Sequence, residues 1–493
     1  MLKDKIKTLA SDTLTYGVFQ ILGRFLTALL TPLYSNYLSP TDNGTVAYLF
    51  SILIFAQFIY IFGMESAFFR FYSQNDDAKN KKVFTTAFVL ITSLGFLFTA
   101  IFLIFSNSFS EMIIGNDTPS ALYIFQIVCF IPLLDGLISI PAGRLRMQRK
   151  IKKFATLHLI FVILAVGLTS YFIMFTSLGV LGVFAAQLIV CLFKVAVFLP
   201  DILRMLDLKL DFLLFKDMLK FGVPTLPANI SAIALQVADR PIMKLFITNA
   251  EIGIYQIVAK LALPMLLLVT VFDYAWKPFF LNHFNDDDAK KLFSRVLTYY
   301  ILVASVVWLF VSLFIDYIVR IPLWDGRYFI HPDYWGGIGI ATLIMLGYLI
   351  NGMTTNFAAV FHIEKKTKYL PITIGFSALA SIILNFILVP IIGSIGAAIS
   401  LVIGYSIGAI LMKTLHSKVN YKINYEWKRI IIIGFASVLT LFCGKFVTIN
   451  FDLTIAFFIK LSIMFGYLLL LKLLGFFTAG ELTQLKKIFK MQT

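Results

Sequence analysis

Long apolar runs separated by short polar stretches organise this chain from one end to the other. Mostly apolar runs of about twenty or more residues lie near 12–38, 45–71, 83–106, 119–142, 154–175, 178–200, 217–247, 251–279, 290–318, 335–362, 367–391, 394–415, 427–448 and 453–477. A helix needs roughly 20 such residues to cross a hydrocarbon core about 30 Å thick. Ten-residue segments alternating apolar and polar, the mark of a membrane β-barrel, are absent. Lipid offers no water to pair backbone N–H and C=O groups, so the helix remains as the spanning structure. The pattern predicts an all-α polytopic membrane protein with about 14 transmembrane helices.

The polar breaks give an independent count. Lys3, Lys5 and Lys7 fall on one side of the expected membrane, as do Arg70, Lys79, Lys81 and Lys82. The same side receives RLRMQRKIKK (144–153), Arg204 to Lys220, Lys277 to Arg295, Lys365 to Lys368, Lys413 to Arg429 and Lys486 to Lys490. The opposite loops hold Arg320, Arg327 and Lys445. Basic residues stay cytoplasmic, so both termini are expected in the cytoplasm, with an even number of spans between them.

The chain also repeats itself. YGV at 16–18 returns as FGV at 221–223, and LSPTDNGTVAY (38–48) as ITNAEIGIYQI (247–257). MQRKIK (147–152) matches IEKKTK (363–368), and LGVLGVFAAQLIV (178–190) matches IGSIGAAISLVIG (392–404). The matches keep their order, which identifies an internal repeat. Two pseudo-symmetric six-helix lobes are expected, an N-lobe over 1–200 and a C-lobe over 217–415, joined by a charged cytoplasmic linker at 201–216. Two further helices and a cytoplasmic tail fill 416–493. An even number of helices per lobe gives both lobes one orientation, related by an axis along the membrane normal. Such lobes enclose a central cavity that rocking opens to each side in turn.

Composition sharpens the picture. Charged residues are 14% of the chain and hydrophobic residues 59%, against roughly 25% charge in a soluble protein. The net charge of +16 resides largely in one set of loops, so its partner is anionic lipid headgroups rather than nucleic acid. Cys129, Cys191 and Cys443 stand far apart inside apolar runs, with no CxxC and no histidine cluster. They read as packed thiols, and no metal site is expected. The start, MLKDKIKTLASDT, is basic but precedes a run too long for a signal-peptide core, so the first span is expected to stay. No GxxxxGK[ST] loop occurs, which argues for a transporter driven by a gradient rather than an enzyme hydrolysing ATP.

Charges inside the spans then point to chemistry. An ionisable side chain at the bilayer centre costs at least about 2.5–3.5 kcal/mol, so it normally faces a cavity or a partner. Arg24 sits mid-run in LTYGVFQILGRFLTALLTPLY, and its slot in the second lobe holds Asn229. Asp239 and Arg240 follow in PTLPANISAIALQVADRPIMKLF, and Lys260 in YQIVAKLALP. Helical neighbours point about 100° apart, so Asp239 and Arg240 are not expected simply to neutralise each other. Glu65 and Asp273 occupy nearly matching repeat positions, each followed by a base, Arg70 or Lys277. Two roles stand for them: interfacial ion pairs of the i,i+4 kind, or an inner gate between lobes. Asp135 is more isolated and is expected to be buried and neutral. The charges gather in helices 1, 2, 7 and 8, where a central cavity would be lined. Arg24, Arg240 and Lys260 make its core positive, which favours a phosphate-bearing substrate. A pump for cationic drugs would place acids there instead.

The segments GMESAFFRFY (63–72), LPANIS with DRPIMKLF, GIYQIVAKLA and VFDYAWKPFF (271–280) resemble the polysaccharide-biosynthesis (Wzx-type) flippases. These belong to the multidrug/oligosaccharidyl-lipid/polysaccharide exporter superfamily, and the likeness in pattern runs over most of 1–420. The resemblance implies a two-lobe, V-shaped fold in a bacterial inner membrane. It implies passage of polyprenyl-diphosphate-linked glycans from the cytoplasmic to the outer leaflet, with a polysaccharide polymerase and other assembly proteins as partners. Arg24, Arg240 and Lys260 are the positions that fit cavity cations for the diphosphate. No cofactor is implied. Coupling to H+ or Na+ occurs in the superfamily, and Asp239 and Glu65 are the candidates here. The two helices beyond the twelve-helix core resemble those of MurJ-type flippases, which keeps lipid II as an alternative cargo. Multidrug export is a further alternative.

Overall fold

Apolar length becomes helix almost everywhere in the computed structural model, which describes residues 17, 19–73, 76–115, 120–207, 211–477 and 481. Lys3, Lys5, Lys7, Lys486 to Lys490, and 208–210 of the expected linker lie outside the described residues. Helical residues 19–28 lead into α1 (Leu30–Tyr37), α2 (Pro40–Ile61), α3 (Met64–Phe71), α4 (Asp77–Ile104) and α5 (Ser106–Ile113). Next come α6 (Ala121–Met147), α7 (Ile151–Phe175), α8 (Gly179–Met205), α9 (Phe212–Gly222), α10 (Leu226–Val237), α11 (Asp239–Phe246) and α12 (Asn249–Ala259). The chain continues through α13 (Leu263–His283), α14 (Ala289–Val319), α15 (Gly339–Ile363), α16 (Tyr369–Thr414), α17 (Trp427–Val447) and α18 (Leu453–Leu473).

Among the described residues, twelve helices are long and apolar enough to cross a membrane. One of these counts double. Within α16, Gly393 adopts φ +61° and reverses the chain. A Cβ at Gly396 would lie 2.6 Å from Leu388 backbone atoms, and one at Gly404 would lie 2.9 Å from the Ser381 side chain. Two antiparallel spans therefore meet at Gly393, as the runs at 367–391 and 394–415 predict. With the partly described segment before α2, the all-α fold of about fourteen spans is in place.

Packing divides the chain into two compact units, 1–260 with 330–337 and 371–404, and 261–329 with 338–370 and 405–493. These units are drawn differently from the sequence repeat. In the first, α2 and α12 explain why. Ser39 caps α2 by accepting from Asp42 N at 3.1 Å, with Pro40 at the first helical position. Thr248 caps α12 by accepting from Glu251 N, while Glu251 accepts from Thr248 N, a reciprocal capping box. The two repeat-matched starts then press backbone to backbone. A Cβ on Gly44 would sit 1.7 Å from the Asn249 carbonyl oxygen, and one on Gly253 1.9 Å from that of Pro40. Only glycine admits this approach. The same unit holds an apolar core of Met64, Phe68, Phe84, Ile91, Ile140 and Val190, all nearly inaccessible.

Tyr334 from the connection after α14 closes over the start of α2. Its hydroxyl donates to Leu38 O at 2.8 Å and accepts from Asn43 Nδ2 at 2.5 Å. Burial raises the Tyr334 phenol pKa well above its ordinary value, so it stays a donor.

In the second unit, buried polar contacts tie the C-terminal pair to α14. Tyr467 on α18 shares its hydroxyl with Ser305 at 2.8 Å and Ser437 at 3.1 Å. Arg429 on α17, 11% exposed, pairs with Glu426 and Glu481, each at 3.0 Å.

Candidate functional site

Asp239 and Arg240 of the seventh span and Lys260 of the eighth lie near one another in the first unit. α10 ends at Val237 and α11 begins at Asp239, so the aspartate stands at a helix start. There Asp239 Oδ1 accepts from Arg240 N at 2.9 Å and from Arg240 Nη1 at 2.7 Å. The expectation that these neighbours do not neutralise each other is therefore corrected. A carboxylate at a helix start folds over the following amide, and the long arginine curls back to meet it.

The pair is held on every side. Arg240 Nη1 also donates to Gln236 O at 2.7 Å, and its Nε to Gln256 Oε1 at 3.1 Å. Tyr255 donates its hydroxyl to Asp239 Oδ2 at 2.6 Å and sets its ring 5.6 Å from the guanidinium. The two charged side chains are only 14% and 9% exposed. Such anchoring makes Arg240 a fixed cation rather than a mobile one.

Lys260 sits where α12 gives way to a short 3-10 turn, Lys260–Ala262. Its ammonium lies 4.6 Å from the Tyr34 ring of α1 and close enough to Arg240 for the two charges to repel. Two basic side chains, Arg240 and Lys260, thus stand close together near the Asp239 carboxylate. Like charges kept together away from water are unfavourable unless an anion joins them.

The other sequence candidates occupy other places. Arg24 is half-buried on helical residues 19–28, next to Gly23, which faces His158 and Val162 of α7. Asn229 lies on α10. Glu65 pairs with Arg146 of α6 rather than Arg70, which is exposed. The reason is spacing: five residues turn a helix by roughly 140°, placing Arg70 on another face. Arg146 is also fixed by rings, 4.9 Å from Phe69 and 5.5 Å from Phe154. In the second unit Lys277 Nζ lies 2.8 Å from Asp273, four residues earlier on the same face.

Asp135 is not isolated. Its Oδ1 accepts from Lys194 Nζ of α8 at 3.0 Å and from Cys191 Sγ at 3.4 Å. Desolvation penalises a lone buried charge, and the cross-helix lysine offsets that penalty for both groups. Lys194 carries in the sequence the same signal as Arg24, a charge inside an apolar run. Tyr255 and Gln256 carry none, because polar-tipped residues are common in spans.

The sequence profile described as polysaccharide biosynthesis protein matches residues 35–325. No curated protein sequence matches the chain. Among solved structures, the lipid II flippase MurJ in an inward closed conformation is similar, with TM-score 0.73 and 17% identity, over 93% of this chain and 97% of that one. An inward-facing multidrug resistance MATE family transporter of the MOP superfamily gives TM-score 0.61 and 15% identity, over 80% and 95%. An outward-facing MATE family transporter of the same superfamily gives 0.52 and 16%, over 87% and 98%. At such identities the likeness is one of fold.

Proposed function

Because the chain belongs to the polysaccharide biosynthesis protein family, we propose that it is a flippase carrying polyprenyl-diphosphate-linked oligosaccharide from the cytoplasmic to the outer leaflet. The observation that carries this reading is the nearness of Lys260 to Arg240, which is itself paired with Asp239. A diphosphate is an anion that two neighbouring basic groups favour, and arginine matches its geometry with parallel N–H donors. Asp239, hydrogen-bonded to both Arg240 and Tyr255, is the ion-coupling group in this reading.

The glycine contact between α2 and α12 closes one end of the pathway. With both termini cytoplasmic, that end is the outer one. The protein then works by alternating access in the cytoplasmic membrane, beside the polymerase and assembly proteins that use its product.

Mass spectrometry of lipid extracts from a strain lacking the gene tests the reading. A stranded polyprenyl-diphosphate oligosaccharide is expected. An unchanged lipid profile in a strain with no second flippase would overturn it. A second reading, lipid II as cargo, is favoured by the match to MurJ, which spans too much of the chain to omit α17 and α18. Stranded lipid II in the same extracts would select it.

A further inference from the structure

A cavity of about 240 Å³ opens between α2, α6 and α8 in the first unit, apart from the Arg240 cluster. Phe50, Phe58 and Ile131 supply apolar walls, and Asp135, Gln57 and Gln187 supply polar groups. Three features define what it can hold.

The cavity is electrically balanced. Lys194, 3.0 Å from Asp135 Oδ1, offsets the only carboxylate in its lining among the described residues. A site for a free cation would leave that carboxylate uncompensated, and a site for an anion would present a base. The pair therefore selects neither.

Hydrogen-bonding capacity nevertheless remains. Lys194 and Cys191 both occupy Asp135 Oδ1, and Oδ2 accepts nothing among the described residues. Gln187 spends its amide nitrogen on Cys191 Sγ at 3.8 Å, leaving its oxygen, and Gln57 has no hydrogen-bond partner among the described residues. Unpaired amide and carboxylate groups inside spans are unfavourable unless a polar guest meets them.

The size is limiting too. Pockets for drug-sized ligands run from about 300 to 1,000 Å³, so this one has room for a single small ring. Neutral balance, donors beside acceptors, and aromatic faces together describe a polyhydroxylated ring with apolar C–H faces. We infer that this cavity is a subsite for one neutral sugar residue of the lipid-linked glycan, with Asp135, Gln57 and Gln187 reading its hydroxyls and Phe50 and Phe58 its ring face. The inference rests on the flippase reading and gives it a selectivity for glycan as well as diphosphate.

Saturation-transfer NMR on the full-length protein in lipid nanodiscs tests it. The probes are neutral methyl glycosides, with glucuronate and tetramethylammonium as charged controls. Transfer to ring protons of a neutral glycoside is expected, lost in Gln57→Leu and Gln187→Leu, both of which keep the Asp135–Lys194 pair. No transfer from any glycoside, or transfer unaltered by both glutamine variants, overturns the subsite. Tetramethylammonium binding that Asp135→Asn removes overturns it in favour of a cation site. The lipid extracts decide separately: stranded glycolipid without glycoside transfer keeps the flippase and removes the subsite, and glycoside transfer without stranded lipid does the reverse.

Discussion

At the start of α2, Ser39 caps the helix and Gly44 lies against the Asn249 carbonyl; 209 positions later Thr248 caps α12 and Gly253 lies against that of Pro40. The backbone device is the same in both halves. The chemistry one turn further along is not. The repeat counterparts of Tyr255, Gln256 and Lys260 are Val46, Ala47 and Ser51, and those of Asp239 and Arg240 are Leu30 and Thr31. Close packing across a pseudo-symmetric contact constrains both copies alike, because each glycine faces the other segment's carbonyl. The side chains beyond that contact carry no such constraint. The result is a symmetric backbone contact beside a one-sided charged cluster.

The sharpest break in the comparison is Arg240→Ala. It should abolish translocation and leave Asp239 buried without its partner, lowering stability by about 3–5 kcal/mol. The counterpart change, Thr31→Ala, should cost under about 1 kcal/mol, since the Thr31 hydroxyl already lacks a partner among the described residues. Thermal unfolding in detergent, beside lipid analysis of complemented strains, reads both. Equal effects would mean that the two copies share the chemistry after all.

Tyr255→Phe removes only the hydroxyl on Asp239 Oδ2. Loss of a hydrogen bond to a charged group should cost about 1.5–3 kcal/mol and reduce transport without abolishing it. Retention of full activity and stability would show that Asp239 needs no second anchor.

Gly44→Ala and Gly253→Ala test the symmetric half of the comparison. Each places a methyl group against a backbone carbonyl that no rotamer change can move aside. Losses of about 1–3 kcal/mol are expected, similar for the two. A clear inequality in the unfolding temperatures would show that one copy carries the contact.

The smallest effects belong to the caps. Ser39→Ala and Thr248→Ala should each cost about 0.5–2 kcal/mol. Ser39→Ala should be the larger of the two, because the Ser39 hydroxyl also donates to Asp42 Oδ2 at 2.7 Å, whereas the Glu251 bond to the Thr248 amide survives Thr248→Ala. Denaturation of the single and double variants measures this directly.

The span count, the even topology and the internal repeat follow from the sequence alone. They rest on local quantities: apolar length against membrane thickness, the placement of Lys and Arg, and ordered self-similarity. That Arg240 and Lys260 are charges inside spans was legible for the same reason, since a charge inside an apolar run is costly wherever it folds. Partner choice was not legible. Glu65 finds Arg146 across helices, Asp135 finds Lys194, and Asp239 curls onto its own neighbour at a helix start. Each of these depends on which helix faces which and on the angle at which a chain breaks. Only tertiary packing decided them, because the energy of a charge pair in lipid depends on ångström-scale separation that spacing along the chain does not carry.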